Sequence, residues 1–259
     1  MNGVSIIMAV WNQLGYTKLA VESILRNTAP GTFEFVIVDN NSRPAVKEYF
    51  DGMKDKAAIR YIQNDKNYGP IRAMNQGIAA ARYDYIMIIH NDVIIMENGW
   101  LRKIIDRMDS DPKIGVAGLA GREEIYKNGC VNEASLKHNL QNEDLNAPMS
   151  EEVAGVAVVD GMCFVAKREL LERIKGFDES FGFMHCYDLD ISLASIAAGF
   201  RNVVVKVEAM HVGNGGRSRR DPAYKQYVKD DYGLLNKNCK ILSHKWRHLL
   251  PLRISDRTK

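Results

Sequence analysis

The sequence of 259 residues lacks long apolar runs, a charged amino-terminal leader and paired cysteine motifs. Its densest apolar run, residues 85–89, is too short for a membrane-spanning helix, which needs about 18 or more apolar residues. The first residues contain no charged segment of the kind that begins a secretory signal peptide, so we expect a cytoplasmic protein. The four cysteines form no CxxC motif, which argues against a zinc ribbon or a thioredoxin-like site and indicates reduced thiols.

The net charge is small, but it is unevenly distributed along the chain. Lysine and arginine number 35 and aspartate and glutamate 32, which gives a formal net charge of +3. Residues 237–259 hold seven of those cations and one acid, so this segment carries +6 and the remainder carries −3. A basic terminus with tryptophan and leucine among its cations can contact the inner face of an anionic membrane, and a nucleic-acid acceptor is not excluded. A solvated tail or a helix packed on the protein is an equally open interpretation.

Short apolar runs alternate with amphipathic segments through the first half of the chain, in the order βαβαβαβ. This alternation is typical of an α/β protein with a parallel sheet and helices on both faces. The predicted strands are residues 4–8, 35–38, 59–62, 85–89, 114–119, 161–166 and 203–207, and the predicted helices include 44–53, 167–175 and 188–198. Residues 122–152 are polar with little periodicity, so we expect a long loop or an irregular hairpin there. The absence of a repeat or a low-complexity linker favours one continuous domain.

Polar residues directly follow the predicted strands, and these positions are the candidates for chemistry. In open parallel sheets ligands bind beyond the carboxyl ends of the strands, so Asp39 and Asp92, 53 residues apart, are predicted neighbours. Asp39 can accept hydrogen bonds from a base or a ribose, Trp11 can stack on a base, and Arg72 can pair with a diphosphate. A carboxylate at the end of the fourth strand can hold a hard divalent cation that bridges phosphates.

Two common nucleotide-binding motifs are absent from the sequence. It contains neither GxGxxG nor GxxxxGK[ST], which argues against an NAD-binding Rossmann domain and a P-loop NTPase. An acidic sheet edge that carries a metal remains as the predicted site for a nucleotide diphosphate.

Several segments, taken in order, resemble the motifs of family-2 glycosyltransferases of the GT-A fold. They are residues 4–12 and 35–42, Asn67-Tyr68-Gly69, His90-Asn91-Asp92-Val93, residues 161–165, 176–179 and 187–191, and His211-Val212-Gly213. The resemblance covers about residues 3–216. It implies a GT-A, Rossmann-like α/β fold with a mixed, mainly parallel sheet flanked by helices in a single domain. In that domain residues 1–95 would bind the nucleotide and 96–216 the acceptor, followed by a basic helical extension over 217–259.

The resemblance also implies an activity and the residues that carry it. The chain would transfer a sugar, with inversion, from a nucleotide-diphosphate sugar (we expect a UDP-linked one) to a hydroxyl of a glycan, lipid-linked or other acceptor in glycan or polysaccharide synthesis. Asp188 would be the general base, and Asp92 and His211 would bind Mn²⁺ or Mg²⁺. The implied nucleotide-sugar-binding residues are Ala9, Val10, Trp11, Asp39, Asn67, Gly69, Arg72, His90, Asn91 and Asp92.

The glycines after His211 and the arginines that follow them are further candidates. Gly213 to Gly216 suggest a close approach of the backbone to a ligand. Arg217, Arg219 and Arg220 could bind phosphate or lie in a loop.

Two positions depart from the family's pattern and keep an alternative open. The D-x-D motif reads His90-Asn91-Asp92, and Tyr187 replaces the acid before Asp188, which leaves that base without its usual neighbour to tune its pKa. These losses motivate a catalytically degenerate module that binds nucleotide sugars and scaffolds a glycan-assembly complex. A nucleotidyltransferase would normally show a glycine-rich, basic loop after the first strand, and residues 9–14 have neither feature.

Overall fold

The protein is represented by a computed structural model, which describes residues 3–53, 55–141, 147–212 and 218–254. Most of its strands join one large sheet. The strands are β1 (Val4–Val10), β2 (Phe33–Asp39), β3 (Ile59–Gln63), β4 (Tyr85–Ile89), β5 (Val93–Ile95), β6 (Ile114–Gly118), β7 (Ala120–Arg122), β8 (Glu124–Ile125), β9 (Leu136–His138), β10 (Val153–Val156), β11 (Val158–Val159), β12 (Cys163–Lys167), β13 (Arg201–Val205), β14 (Ala209–His211) and β15 (Leu252–Arg253).

The large sheet has eight strands in the order β10-β13-β6-β12-β4-β1-β2-β3. The pairs β1–β2, β1–β4, β2–β3 and β6–β13 are parallel. Strand β12 is antiparallel to both β4 and β6, and β10 is antiparallel to β13. In this eight-stranded sheet, all strands except β10 and β12 therefore run in one direction. This confirms the predicted mixed, mainly parallel sheet.

Helices cover both faces of this sheet. They are α1 (Leu14–Asn27), α2 (Pro44–Asp51), α3 (Pro70–Ala80), α4 (Trp100–Ser110), α5 (Arg168–Ile174), α6 (Tyr187–Ala197) and α7 (Asp231–Lys245). Side chains of a strand alternate between faces, so Ile6 and Met8 of β1 join a cluster with α1, α2 and α4, whereas Ile7 joins a cluster with α3, α5, α6 and α7. All five residues of β4 are buried because both faces are covered, which explains its continuous apolar run.

The observed elements overlap every strand and helix predicted above, and the structure adds others. Helix α4 is missing from the prediction, although Leu101, Ile104, Ile105 and Met108 have the spacing of one buried helical face. Part of the polar segment 122–152 is an irregular hairpin, because β7 pairs antiparallel with β9 in a small sheet that also contains β11. Residues 142–146 of this segment lie outside the described ranges.

The described part of the carboxyl-terminal extension packs on the same core. In α7 the side chain of Leu242 is fully buried, and Leu250 after the helix is also buried. Strand β15 pairs antiparallel with β8. Of the two structural interpretations of the basic segment, a solvated tail or a packed helix, the structure therefore supports the packed helix. None of the helices in the described ranges is both long and apolar enough to cross a membrane.

The packing of α7 can be tested by a cavity-forming substitution. We expect Leu242→Ala to lower the free energy of unfolding by about 2–5 kcal/mol, because it empties a fully buried site. Lys240→Ala, at an exposed position of the same helix, is the matched control and should change it by less than about 0.5 kcal/mol. Urea denaturation followed by circular dichroism measures both. Small and equal effects would contradict the packing of α7 on the domain.

Candidate functional site

A cavity of about 560 Å³ opens at the carboxyl ends of β1 and β4. Strand β1 ends at Val10 and β4 ends at Ile89, so the residues that follow each strand reach the cavity. The opposite wall comes from the loop before α6 and from that helix's first turn. The predicted binding residues that line the cavity are Ala9, Val10, Trp11, Asn67, His90, Asn91 and Asp92. Asp188 lines the same cavity, so the structure brings the expected base and the expected metal carboxylate together.

Two histidines and one aspartate form a compact group beside this cavity. The potential ligand atoms of His90, Asp92 and His211 all lie within 4.8 Å of one another. Strand β14 places His211 opposite Val93 of β5, which brings its Nε2 to 3.2 Å from Asp92 Oδ1. The sequence analysis expects Asp92 and His211 at the metal and His90 at the donor, so the structure adds His90 as a potential third ligand.

The pKa values of this group reflect the contacts among its members. Burial lowers the pKa of His90, although the charge of Asp92 opposes this, so its imidazole favours the neutral form. Burial alone would raise the pKa of Asp92, but the hydrogen bond from His211 and the nearby imidazoles lower it overall. The same bond raises the pKa of His211 against the effect of its burial, which favours the protonated imidazolium. Metals bind neutral imidazoles, so a cation at this group would have to displace the His211 proton.

The donor atoms of the group are of mixed type. Mg²⁺ prefers oxygen ligands and keeps several waters, whereas imidazole nitrogen is a ligand of several transition metals. Two imidazoles and one carboxylate therefore form a set that a divalent cation could occupy, and they do not identify the metal.

Asp188 is the second residue of α6, and the two residues before this helix have left-handed backbone. His185 and Cys186 have φ of 76° and 63°, and this turn directs the start of the helix toward the cavity. The backbone N–H of Gly161 donates to Asp188 Oδ2 at 2.9 Å. Burial first, and the nearby charge of Asp160 second, raise the pKa of Asp188 to about 6. A carboxyl group with this pKa can accept a proton close to neutral pH.

Asp160 is a site residue that the sequence analysis missed. It lines the cavity, and Arg122 Nη1 donates to its Oδ2 at 2.8 Å. Burial favours the neutral form, but Arg122 lowers the pKa of Asp160 overall, so it stays ionised beside Asp188. The acid expected before Asp188 in the family pattern is absent, but Asp160, directly after β11, supplies a carboxylate that raises the Asp188 pKa instead. Asp160 directly precedes residues 161–165, one of the segments that resemble the family's motifs, and this position could have identified it as a site residue.

Tyr187 has a different role from the acid that it replaces in the family pattern. Its side chain is buried, and its hydroxyl lies 2.9 Å from His90 Nε2. The substituted residues of the two unusual motifs therefore contact each other across the cavity.

Three of the predicted donor-binding residues, Asp39, Gly69 and Arg72, are not among the described residues that line the cavity. Asp39 is fully buried, and its carboxylate accepts hydrogen bonds from the Ser42 N–H at 2.8 Å and from the Tyr61 hydroxyl. The next residue, Asn40, lines the cavity instead. The Asp39 carboxylate thus shapes the turn from which Asn40 projects.

Gly69 and Arg72 flank the start of α3. Gly69 has φ +84°, and a Cβ atom there would lie 2.4 Å from the carbonyl oxygen of Phe183. This glycine allows the donor-side loop to touch the loop before α6. Arg72 is exposed, with its guanidinium 4.3 Å from the centre of the Tyr68 ring.

Aromatic and basic residues complete the rim of the cavity. Trp11 meets Tyr227 edge-on, with ring centroids 5.6 Å apart, and Phe183 stacks on the same tyrosine. Arg219 lines the cavity and its Nη2 lies 2.8 Å from Asp231 Oδ2, while Arg220 is exposed. The candidates Gly213 to Gly216 and Arg217 lie outside the described residues.

The chain is similar to known proteins over most of its length. The family model described as Glycosyl transferase family 2 matches residues 5–174. An uncharacterised protein, y4gI of Sinorhizobium fredii, is 26% identical over 238 residues, which are 86% of this chain and 26% of that protein. The O-antigen biosynthesis protein RfbC of Myxococcus xanthus is 24% identical over 235 residues, 85% of this chain and 18% of that protein. The chain thus spans a minor part of the length of either relative.

A solved structure shares the fold. The mannosyltransferase PcManGT of Pyrobaculum calidifontis, in complex with GDP-Man and Mn²⁺, aligns with a TM-score of 0.63 at 16% identity. The alignment covers 95% of this chain and 74% of that chain. At this identity the likeness concerns the fold alone, and it confirms the expected GT-A fold.

Metal binding by the histidine–aspartate group can be tested without a substrate. We expect Mn²⁺ to raise the unfolding temperature; at a free concentration 100 times its Kd, the free energy of unfolding would rise by about 2.7 kcal/mol. Asp92→Ala should abolish this shift because it removes the ligand carboxylate. Asp84→Ala, at the other end of β4 with a side chain that is 78% exposed, is the matched control. Thermal unfolding with Mn²⁺ or Mg²⁺ measures the shift, and equal shifts in both variants would contradict the assignment.

Proposed function

The chain belongs to glycosyl transferase family 2, and from this premise we propose that it transfers a sugar from a nucleotide-diphosphate sugar to an acceptor hydroxyl. The observation that carries the proposal is that Asp188 and Asp92 line one cavity from opposite walls. A base and a cation-binding carboxylate on opposite sides leave room between them for the reacting sugar. We further propose a UDP-linked donor and inversion of configuration, as the family resemblance implies.

In the proposed mechanism, Asp188 removes the proton of the acceptor hydroxyl as its oxygen attacks the anomeric carbon. The N–H groups of Gly161 and Leu189 each donate to one oxygen of the Asp188 carboxylate, at 2.9 Å in both cases. These bonds fix its orientation, and each oxygen keeps a lone pair for the acceptor. A single displacement from the face opposite the diphosphate inverts the configuration.

The donor half of the cavity would hold the nucleotide diphosphate. His90, Asp92 and His211 would hold a divalent cation such as Mn²⁺, which would supply positive charge against the diphosphate. We propose that Trp11 stacks on the base, and that Asn67 and Asn91 supply polar contacts. Asp39 and Arg72 remain proposed contacts of the donor. In the structure the Asp39 carboxylate accepts a hydrogen bond from Tyr61, and the Arg72 guanidinium lies over the ring of Tyr68.

A second candidate function is a binding module that scaffolds glycan assembly without turnover. The substitutions at His90 and Tyr187 favour it, because both replace acids of the family motifs. A panel of UDP- and GDP-sugars, assayed with Mn²⁺ for binding and for donor hydrolysis, separates the two functions. Tight donor binding with no turnover of any sugar would support the module and overturn the transferase.

The acceptor and the cellular location are proposed from the same resemblance. We propose a glycan or lipid-linked hydroxyl as acceptor, at the cytoplasmic face of a membrane. Leu242 and Leu250 are buried against the domain, so a membrane contact of this extension would use exposed cations such as Lys237, Lys240 and Arg247. Such a contact would weaken with salt, as would binding to a nucleic-acid acceptor. Co-sedimentation with anionic vesicles at two salt concentrations tests it.

The role of Asp188 as base predicts a separation of binding from turnover. We expect Asp188→Asn to lower kcat by on the order of 10²–10⁴, because the amide cannot take the proton, while the Kd for UDP with Mn²⁺ stays nearly unchanged. Glu172→Gln, an exposed acid on neighbouring α5, is the matched control. Steady-state kinetics and calorimetry provide the two quantities. A parallel loss of binding and turnover would point to a structural acid.

The raised pKa of Asp188 also predicts the pH profile. The base acts when ionised, so kcat/KM should fall as the pH drops below about 6. Asp160→Asn removes a nearby negative charge that disfavours ionisation, so the acidic limb should move to lower pH. Asp106→Asn, an exposed acid of α4, should leave the limb in place. An unchanged limb in Asp160→Asn would show that another group controls it.

A further inference from the structure

Helix α7 presents a stripe of polar side chains toward the segment that carries the proposed base. We call residues 181–190, which contain Asp188, the base segment. Asp231, Asn238 and Lys245 lie seven residues apart, about two helical turns, so they share one side of α7. Each of the three hydrogen-bonds to the base segment.

Asn238 makes the central contacts of this stripe. Its side chain is fully buried, and its Nδ2 donates to the carbonyl oxygens of Phe181 at 2.8 Å and Met184 at 2.7 Å. The carbonyl oxygen of His185 lies at 3.4 Å from the same nitrogen. Since all these partners are acceptors, a side chain that donates two hydrogens is required at this position.

The part of the base segment that Asn238 holds has an unusual backbone. Gly182, His185 and Cys186 have φ of 75°, 76° and 63°. Residues other than glycine rarely adopt this conformation, so contacts from elsewhere must hold His185 and Cys186 in it. Two residues after Cys186 comes Asp188, and its direction therefore depends on that turn.

The flanks of the base segment are tied to the same helix. On one side, Asp231 Oδ1 lies 3.1 Å from His185 Nε2 and accepts a hydrogen bond from the Tyr224 hydroxyl at 2.8 Å. On the other side, buried Asp190 accepts from Lys245 at 2.9 Å and from Trp246 Nε1 at 2.7 Å. Asp188 thus lies in the chain between His185 and Asp190, and both of these residues are hydrogen-bonded to α7 or to the residue that ends it.

We propose that Asn238 is a positioning residue that holds the base segment so that Asp188 faces the acceptor in the cavity. The inference rests on the proposed function, because it gives Asn238 a role only through the base. It assigns a task to the carboxyl-terminal extension, which lies beyond the residues matched by the family model. Within the described ranges, His90, Asn91 and Asp92 of the donor wall have hydrogen bonds to Tyr187, Thr17 and His211, and none of these partners lies on α7. Tyr187 belongs to the base segment, so we expect turnover to depend on Asn238 more strongly than donor affinity does.

The test replaces the amide of Asn238 with an acceptor of the same size in the full-length chain. Asn238→Asp puts carboxylate oxygen against the carbonyl groups of the base segment, so we expect kcat to fall by about 10²-fold, the usual effect of a misplacement near 1 Å. The Kd for UDP with Mn²⁺ should stay within about twofold of the unmodified value, since binding does not use the base. Asn236→Asp, the same change at an exposed position two residues earlier, is the matched control.

Hydrogen exchange supplies a readout that does not need activity. Amides of residues 181–190 should exchange faster in Asn238→Asp than in Asn236→Asp. Equal kcat in the two variants, or equal loss of UDP affinity and kcat in Asn238→Asp, overturns the proposal. If Asn238→Asp fails to fold, Trp246→Phe removes the bond to Asp190 and keeps the ring packing; lower kcat at unchanged UDP affinity then supports the positioning role, and unchanged kcat overturns it.

Failure of the proposed function would be visible separately. If the unmodified chain transfers no sugar from any donor, the proposed function is contradicted. The comparison of hydrogen exchange in the two variants then tests, without any activity, whether Asn238 holds the base segment. Faster exchange in Asn238→Asp then supports the hold on the base segment, and unchanged exchange overturns it.

Discussion

The site depends on the burial of β4 on both faces of the sheet. All five residues of β4 are buried in an apolar run, and the polar residues that reach the cavity follow where this strand ends. His90 and Asp92 follow at that end, and the antiparallel pairing of β5 with β14 then brings His211 to them. Strand β12 pairs antiparallel with β4 on the side away from β1, and Gly161, just before β12, donates its N–H to the Asp188 carboxylate. One central strand thus gathers groups from distant parts of the sequence.

Much of this arrangement could be predicted from the sequence because it follows local patterns. Apolar runs that stop at polar residues identify strand ends, and the rule for parallel sheets places those ends at one edge. That rule predicts Asp39 and Asp92 as neighbours, whereas Asp188 is expected at the site only from the family resemblance. The sequence does not reveal that Tyr61 and Ser42 already use the Asp39 carboxylate, so a contact of Asp39 with the donor stays a prediction.

The remaining features depend on contacts between segments that have no periodic signal. Asp160 is placed beside Asp188 by a two-residue strand in a small sheet, and such short strands follow tertiary pairing and not local propensity. The polar stripe of α7 consists of residues that look solvent-exposed in a basic, weakly amphipathic segment. Their partners are a histidine side chain, backbone carbonyl groups and a buried acid, which the sequence cannot identify. The pKa of Asp188 likewise comes from burial and Asp160, both products of the fold.

The close approach at Gly69 has a consequence for how small molecules reach the cavity. A single methyl group at this position would overlap the Phe183 carbonyl oxygen, so the two loops leave no gap there. Of the described residues, the backbone and the ring of Phe183 therefore close this side of the rim against Gly69, and a ligand of the cavity would have to enter past another part of the rim.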